Sequence, residues 1–162
     1  MKPIALSLAA AVLLAGPALA QNPAQIARAG AGANCAGCNL FQADYSNREM
    51  KARNFSGARL RQSDLSLSVM NRTNFARADL RDVNAYGGVF SSANFSGADL
   101  TNATFVGTYL EGSTFSGARL TGANFSGAEM SRVSGLTQAQ LNTACGDGST
   151  LLPRGLRIPA CR

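Results

Sequence analysis

Ala78-Asp79-Leu80-Arg81-Asp82, Ala98-Asp99-Leu100-Thr101-Asn102 and Ala123-Asn124-Phe125-Ser126-Gly127 are three readings of one phrase, and the run that contains them decides the fold. A large apolar residue returns at every fifth position: Leu40, Tyr45, Met50, Phe55, Leu60, Leu65, Met70, Phe75 and Leu80. After a lapse at Ala85 the series resumes as Phe90, Phe95, Leu100, Phe105, Leu110, Phe115, Leu120, Phe125 and Met130. The residue two before each is usually small, most often Ala. A helix repeats near 3.6 and a strand at 2, so neither holds these positions on one face. A second period resolves the geometry. Phe55, Phe75, Phe95 and Phe115 are spaced by twenty, as are Leu40, Leu60, Leu80, Leu100 and Leu120. Twenty residues per coil give four short sides, each with one central apolar residue, and like residues stack about 4.7–4.9 Å apart. The nineteen units from Leu40 to Met130 make nearly five coils.

This run resembles the pentapeptide repeat family, whose pattern is A(D/N)Lxx with Leu or Phe at the centre. The Phe-Ser-Gly-Ala phrase at 55–58, 95–98, 115–118 and 125–128 is typical of it. The resemblance implies an all-β fold, a right-handed quadrilateral parallel β-helix with the central and small residues inward. Residues 35–133 are expected to form it, and 134–162 a C-terminal cap.

Ahead of the solenoid, Met1-Lys2, an apolar stretch from Ile4 to Ala15, and Ala18-Leu19-Ala20 read as a signal peptide cleaved after Ala20. Its apolar part is too short to span a bilayer, and no Cys follows the cleavage position. The expected product is periplasmic or secreted. Its formal net charge falls from +6 to +5 with the loss of Lys2. Residues 21–34, rich in Pro, Ala and Gly, read as a flexible lead-in.

Cys35, Cys38, Cys145 and Cys161 are an even set in an exported chain, which suggests disulfides. Cys38 opens the first coil and Cys145 follows the last, on the order of 20 Å away at the strand spacing. Bridged Cα atoms lie within about 7 Å, so the pairs are Cys35–Cys38 and Cys145–Cys161. A redox reading of Cys35-Ala36-Gly37-Cys38 lacks the strand and helix of a thioredoxin-like motif. A zinc reading lacks His, of which the chain has none. No cofactor or metal is expected.

Departures from the pattern are informative. Arg48 and Arg53 fall on inward positions, and burying unpaired charge is costly, so the first coil is expected to open between Tyr45 and Phe55. Ala85 leaves its column short, with Tyr86 or Val83 expected to lean in. Leu67, Val69, Tyr86, Val89, Val106 and Tyr109 line up as an apolar stripe along one outer edge, a candidate contact surface. Arg59, Arg61, Arg72, Arg77 and Arg81 make a candidate basic patch in the N-terminal half. Asp79 and Asp99 stack on adjacent coils and superficially suggest a carboxylate pair. The flanking Arg61 and Arg81 favour a salt-linked ladder instead.

Beyond Arg132 the rhythm stops. Thr137 and Gln140 have capping-box spacing, so a helix from about Gln138 to Ala144 is expected across the open end. The segment Gly135–Leu141 with Ala144–Asp147 resembles the C-terminal signature of exported bacterial members of the family. No catalytic set is present, and no enzyme is expected. The function read from the sequence is a structural or protein-interaction module of the bacterial envelope, binding a protein partner or a second copy. The alternative is an anion- or polysaccharide-binding β-helix, with enzymatic use of Asp79 and Asp99 included. The family's DNA-mimicking gyrase inhibitors are a remote third, because they are acidic and this chain is basic and exported. No nucleic acid is expected, since aromatic residues do not interleave with the Arg.

Overall fold

The computed structural model describes residues 20–162; the expected signal peptide, apart from Ala20, lies outside the described residues. From Asn39 onward the backbone winds as a four-sided parallel β-helix. Each ladder residue pairs with the one twenty further on, from Asn39 with Arg59 to Thr114 with Ser134. Two hydrogen bonds tie successive coils at each side, as when Leu80 N–H donates to Asp99 C=O (2.8 Å) and Asp99 N–H to Ala78 C=O (3.0 Å).

The corners are turns, nearly all closed by a hydrogen bond three residues back, such as Ala78 N–H to Phe75 C=O (3.0 Å). The third residue of the turn has positive φ, +57° at Arg77 and +66° at Gly97, which is the type II geometry that favours Gly. The Asp or Asn before each central residue also has a structural task. Its side-chain oxygen accepts the corner N–H two residues on, as Asn94 does from Ser96 (2.9 Å) and Asn124 from Ser126 (2.9 Å). This Asx turn explains the preference for D or N in the repeat.

The core is vertical files of like side chains. Phe75 and Phe95 stack with ring centroids 5.2 Å apart, and Phe95 and Phe115 with centroids 5.1 Å apart. Where the inward small position is a hydroxyl, it donates to a carbonyl, three residues back from Ser68 to Leu65 (2.6 Å) and Ser113 to Leu110 (2.6 Å), or on the preceding coil from Thr73 to Met50 (3.1 Å), so burial leaves no unpaired hydroxyl there. Around Ala85, Val83 is buried but Tyr86 is 54% exposed, so only Val83 fills in. Phe90 completes the repair. Its ring lies over Gly88, where a Cβ would come within 2.6 Å of it, and sits 5.7 Å from Phe105.

Three expectations need correction. The lead-in is helical: α1 spans Pro23–Gly30, with the Asn22 side chain accepting from Gln25 N–H and Pro at the first helical position, a favourable N-terminal arrangement. It covers the first coil with Ala29 buried, and Ile26 packs on the core. Second, the first coil does not open. Its ladder runs unbroken through Asp44, Glu49 and Asn54. No coil lies beneath it, so Arg48 and Arg53 turn toward α1 rather than into the core. Arg48 donates to Gly30 C=O (2.7 Å), and the Arg53 guanidinium packs on Gly32. Third, the C-terminal helix α2 is short, Gln138–Leu141, with the capping box of Thr137 and Gln140 formed.

Beyond α2 the ladder resumes with altered spacing: Asn124 pairs with Cys145 and Glu129 with Leu151, at 21 and 22 residues, and Gly146 with Ala160, at 14. Disulfides join Cys35 to Cys38 and Cys145 to Cys161. No helix among the described residues is long and apolar enough to cross a membrane.

Candidate functional site

One corner of the solenoid carries the apolar stripe, and the winding explains how its residues meet. Val69, Val89 and Tyr109 are consecutive rungs of one ladder. At the adjoining corner Leu67 N–H donates to Tyr86 C=O (2.8 Å), and Gly87 N–H to Val106 C=O (2.9 Å), so Leu67, Tyr86 and Val106 also lie on successive coils. Leu67, Tyr86 and Tyr109 are 53%, 54% and 42% exposed. All six residues named from the sequence therefore share one edge.

Leu67 is exceptional within it. Its φ is +55°, a conformation that costs a bulky residue about 1–3 kcal/mol, and the turn needs only a glycine there. Its side chain lies over Gly87, where a Cβ would approach Leu67 Cδ2 to 2.8 Å. Gln62, Arg72 and Arg77 hold the same left-handed corner position, so what sets Leu67 apart is that its exposed side chain is apolar.

The stripe extends further than the sequence indicates. Leu151, 53% exposed, lies two coils beyond Tyr109 on the same ladder, with the Glu129 rung between them. The Tyr109 hydroxyl donates to the Glu111 carboxylate, which also holds Arg132 at 2.8 Å. That bond, then the negative charge of Glu111, raises the Tyr109 phenol above its usual range.

The basic patch is largely engaged with the protein itself. Arg81 makes a bidentate pair with Asp79 (2.7 and 2.6 Å) and lies 4.0 Å from Asp99. Arg61 pairs with Asp82 at 3.2 Å. The Arg59 guanidinium sits 4.7 Å above the Phe41 ring, a cation–π contact. Arg72 and Arg77 stand on two different corners with φ +59° and +57°, and neither is in an ion pair among the described residues.

The hydrogen bond from Arg81 holds the Asp79 carboxyl below the usual carboxylate range. Asp79 and Asp99 thus form a charge ladder with Arg81, and a carboxylate held ionised is unsuited to donating a proton. No group of three or more metal-ligating side chains is positioned to hold an ion among the described residues.

A family profile described as pentapeptide repeats matches the chain in eight copies, over residues 54–91 and 93–132. None of the curated proteins matches. Among solved structures, a pentapeptide repeat protein from the Arabidopsis thaliana thylakoid lumen is 26% identical, with 70% of this chain and 81% of that one covered and a TM-score of 0.43. A pentapeptide repeat protein from Nostoc PCC 7120 is 20% identical over 85% of this chain and 88% of its own, with a TM-score of 0.42. HetL, a pentapeptide repeat protein involved in heterocyst differentiation regulation in the same cyanobacterium, is 18% identical, with 80% and 61% covered and a TM-score of 0.33.

Proposed function

Because this chain belongs to the pentapeptide repeat family, we propose that it is a non-catalytic interaction module of the bacterial cell envelope, exported by its N-terminal signal peptide. The rigid solenoid presents one corner to a protein partner. The contact residues are Leu67, Val69, Tyr86, Val89, Val106 and Tyr109, with Leu151 continuing the edge.

The observation that carries this reading is the run of Leu67, Tyr86 and Tyr109, which are 53%, 54% and 42% exposed on one edge of successive coils. Contiguous exposed apolar residues mark contact sites. The polysaccharide reading is less well supported, since Arg59, Arg61 and Arg81 already engage Phe41, Asp82 and Asp79.

Immobilised protein is to be incubated with periplasmic extract, beside a Tyr86→Ser, Tyr109→Ser variant. The expected result is a discrete partner recovered by the parent and lost by the variant. Binding to a glycan array that survives the tyrosine changes and disappears in Arg59→Ala, Arg61→Ala supports the polysaccharide reading instead. Self-association as the use of the stripe appears as a concentration-dependent dimer in sedimentation, absent in the tyrosine variant.

A further inference from the structure

The two disulfides occupy opposite chemical settings. At the C-terminal end Cys161 Sγ lies 3.3 Å from Asn124 Oδ1 and 3.5 Å from Ser126 Oγ. The Asn124 oxygen is fixed by accepting Ser126 N–H at 2.9 Å, so its lone pairs face the sulfur and oppose a thiolate there. At the N-terminal end the neighbour is a cation. Arg28, in the last turn of α1, places Nη2 3.5 Å from Cys38 Sγ and 3.8 Å from Cys35 Sγ. No carboxylate pairs with Arg28 among the described residues. Arg48 and Arg53 meet the C-terminal side of α1 at Gly30 and Gly32, which brings further positive charge to this end.

We propose that Cys35–Cys38 is a thiol–disulfide exchange site that accepts electrons from a dithiol, with Arg28 holding reduced Cys38 as its thiolate. A disulfide is neutral and gains little from a guanidinium. A thiolate carries a full charge and gains a close ion pair. The interaction therefore favours the reduced form and makes the bond a better oxidant. The two sulfurs are not equivalent. Cys35 Sγ faces Gln25 C=O at 3.9 Å, an acceptor for a protonated thiol, whereas Cys38 is the nearer to Arg28.

One thiolate of the dithiol, having released its proton, attacks Cys35 Sγ, and the Cys35–Cys38 bond breaks with its electron pair passing to Cys38. The second thiolate attacks the donor sulfur of the mixed disulfide and releases Cys35, which takes up one proton. The donor leaves as a disulfide, two electrons lower, and one proton is left in solution. Cys35 and Cys38 are 1% and 4% exposed, so the donor reaches Cys35 Sγ through a local opening that leaves Arg28, at the surface of α1, beside Cys38.

The test is equilibration of the full chain in dithiothreitol and glutathione buffers, followed by acid quenching, alkylation and mass spectrometry of each cysteine peptide. Cys35–Cys38 is expected to become reduced under conditions that leave Cys145–Cys161 oxidised. Arg28→Ala is expected to lower its equilibrium constant for reduction about three- to tenfold, about 15–30 mV at ~30 mV per tenfold, while Arg28→Lys retains most of the parent value. Alkylation of Cys38 is expected to titrate below the free-thiol value of about 8.5 and to rise in Arg28→Ala. Arg28→Gln repeats the measurement should alanine loosen α1. Equal potentials for the two disulfides, or an Arg28→Ala chain indistinguishable from the parent, overturn the proposal.

Discussion

The solenoid ends in two different ways. At the C-terminal end the cap continues the ladder. The Gln140 side chain donates to both Phe115 C=O (2.9 Å) and Ala118 C=O (2.8 Å), at Ala118 replacing the donor that a further coil would supply. Cys145 and Leu151 then take ladder positions of their own. At the N-terminal end no strand is added. The cap is a helix held by single contacts: Gln25 Oε1 accepts Asn39 N–H (2.6 Å), Asn34 Oδ1 accepts Asn54 N–H (2.9 Å), and the Tyr45 hydroxyl donates to Ile26 C=O (3.1 Å). Both devices hide a strand edge that would otherwise recruit another chain. The first does so by extending the fold, the second by covering it with a piece that lifts more readily.

The largest expected difference lies in the staples. Cys145 and Cys161 are separated by 16 residues, Cys35 and Cys38 by 3. On the chain-entropy account the longer loop contributes about 3 kcal/mol and the shorter about 2. Urea unfolding of Cys145→Ser, Cys161→Ser should therefore show the greater loss, and a greater loss in Cys35→Ser, Cys38→Ser breaks the comparison.

Side-chain caps come next. Gln140→Ala removes two donors at once and should cost about 2 kcal/mol, whereas Gln25→Ala removes one acceptor and should cost about 1 kcal/mol. The same unfolding curves check both.

Between the ends, Leu67→Gly relieves a strained turn, an expected gain of about 1 kcal/mol offset in part by glycine's extra freedom when unfolded. It should leave the order of the two ends unchanged. A loss of stability would mean that Leu67 packs usefully after all.

The smallest effect is in pH, where only the N-terminal end carries an alkaline response. Burial pushes the Tyr45 phenol up to about 12. Its contribution to the N-terminal end is complete below the unfolded value of about 10 and disappears as pH rises through 12. Asp147, held below its usual range by the Ser149 hydroxyl and then by Gly127 N–H, contributes at the C-terminal end above its unfolded value of about 3.9. That contribution fades as pH falls through the depressed value. Hydrogen exchange should quicken at the N-terminal cap in alkali, whereas acid should loosen both ends, because the Ser46 hydroxyl likewise holds Asp44 in the first coil below its usual range. Tyr45→Phe should remove the alkaline response, and Asp147→Asn the acid response of the C-terminal end alone.

Much of this was legible because the repeat is strict. A twenty-residue coil places Phe75 under Phe95 and brings Leu67 to Tyr86, and the Thr137–Gln140 spacing marks α2. What was missed follows from features that periodicity does not carry. Asn22-Pro23 is a good helix start, yet the Ala and Gly content of 21–34 reads as flexible, so Arg28's place over the sulfurs was invisible. Arg48 and Arg53 look buried if every coil has one beneath it, and the first coil has none. Leu151 escaped the stripe because Glu129 pairs with it at a spacing of 22 rather than 20, and the extra residues hide the register.

The account turns on the corner of Leu67 and Tyr109 being a contact surface rather than a chance grouping of apolar side chains. The direct measurement is photo-crosslinking in the cell, with a benzophenone amino acid at position 109 and, on another side of the solenoid, at position 119. The account predicts one discrete higher-mass adduct from 109, diminished by Leu67→Gly, and none from 119. Equal labelling from both positions, or none from 109, would contradict it.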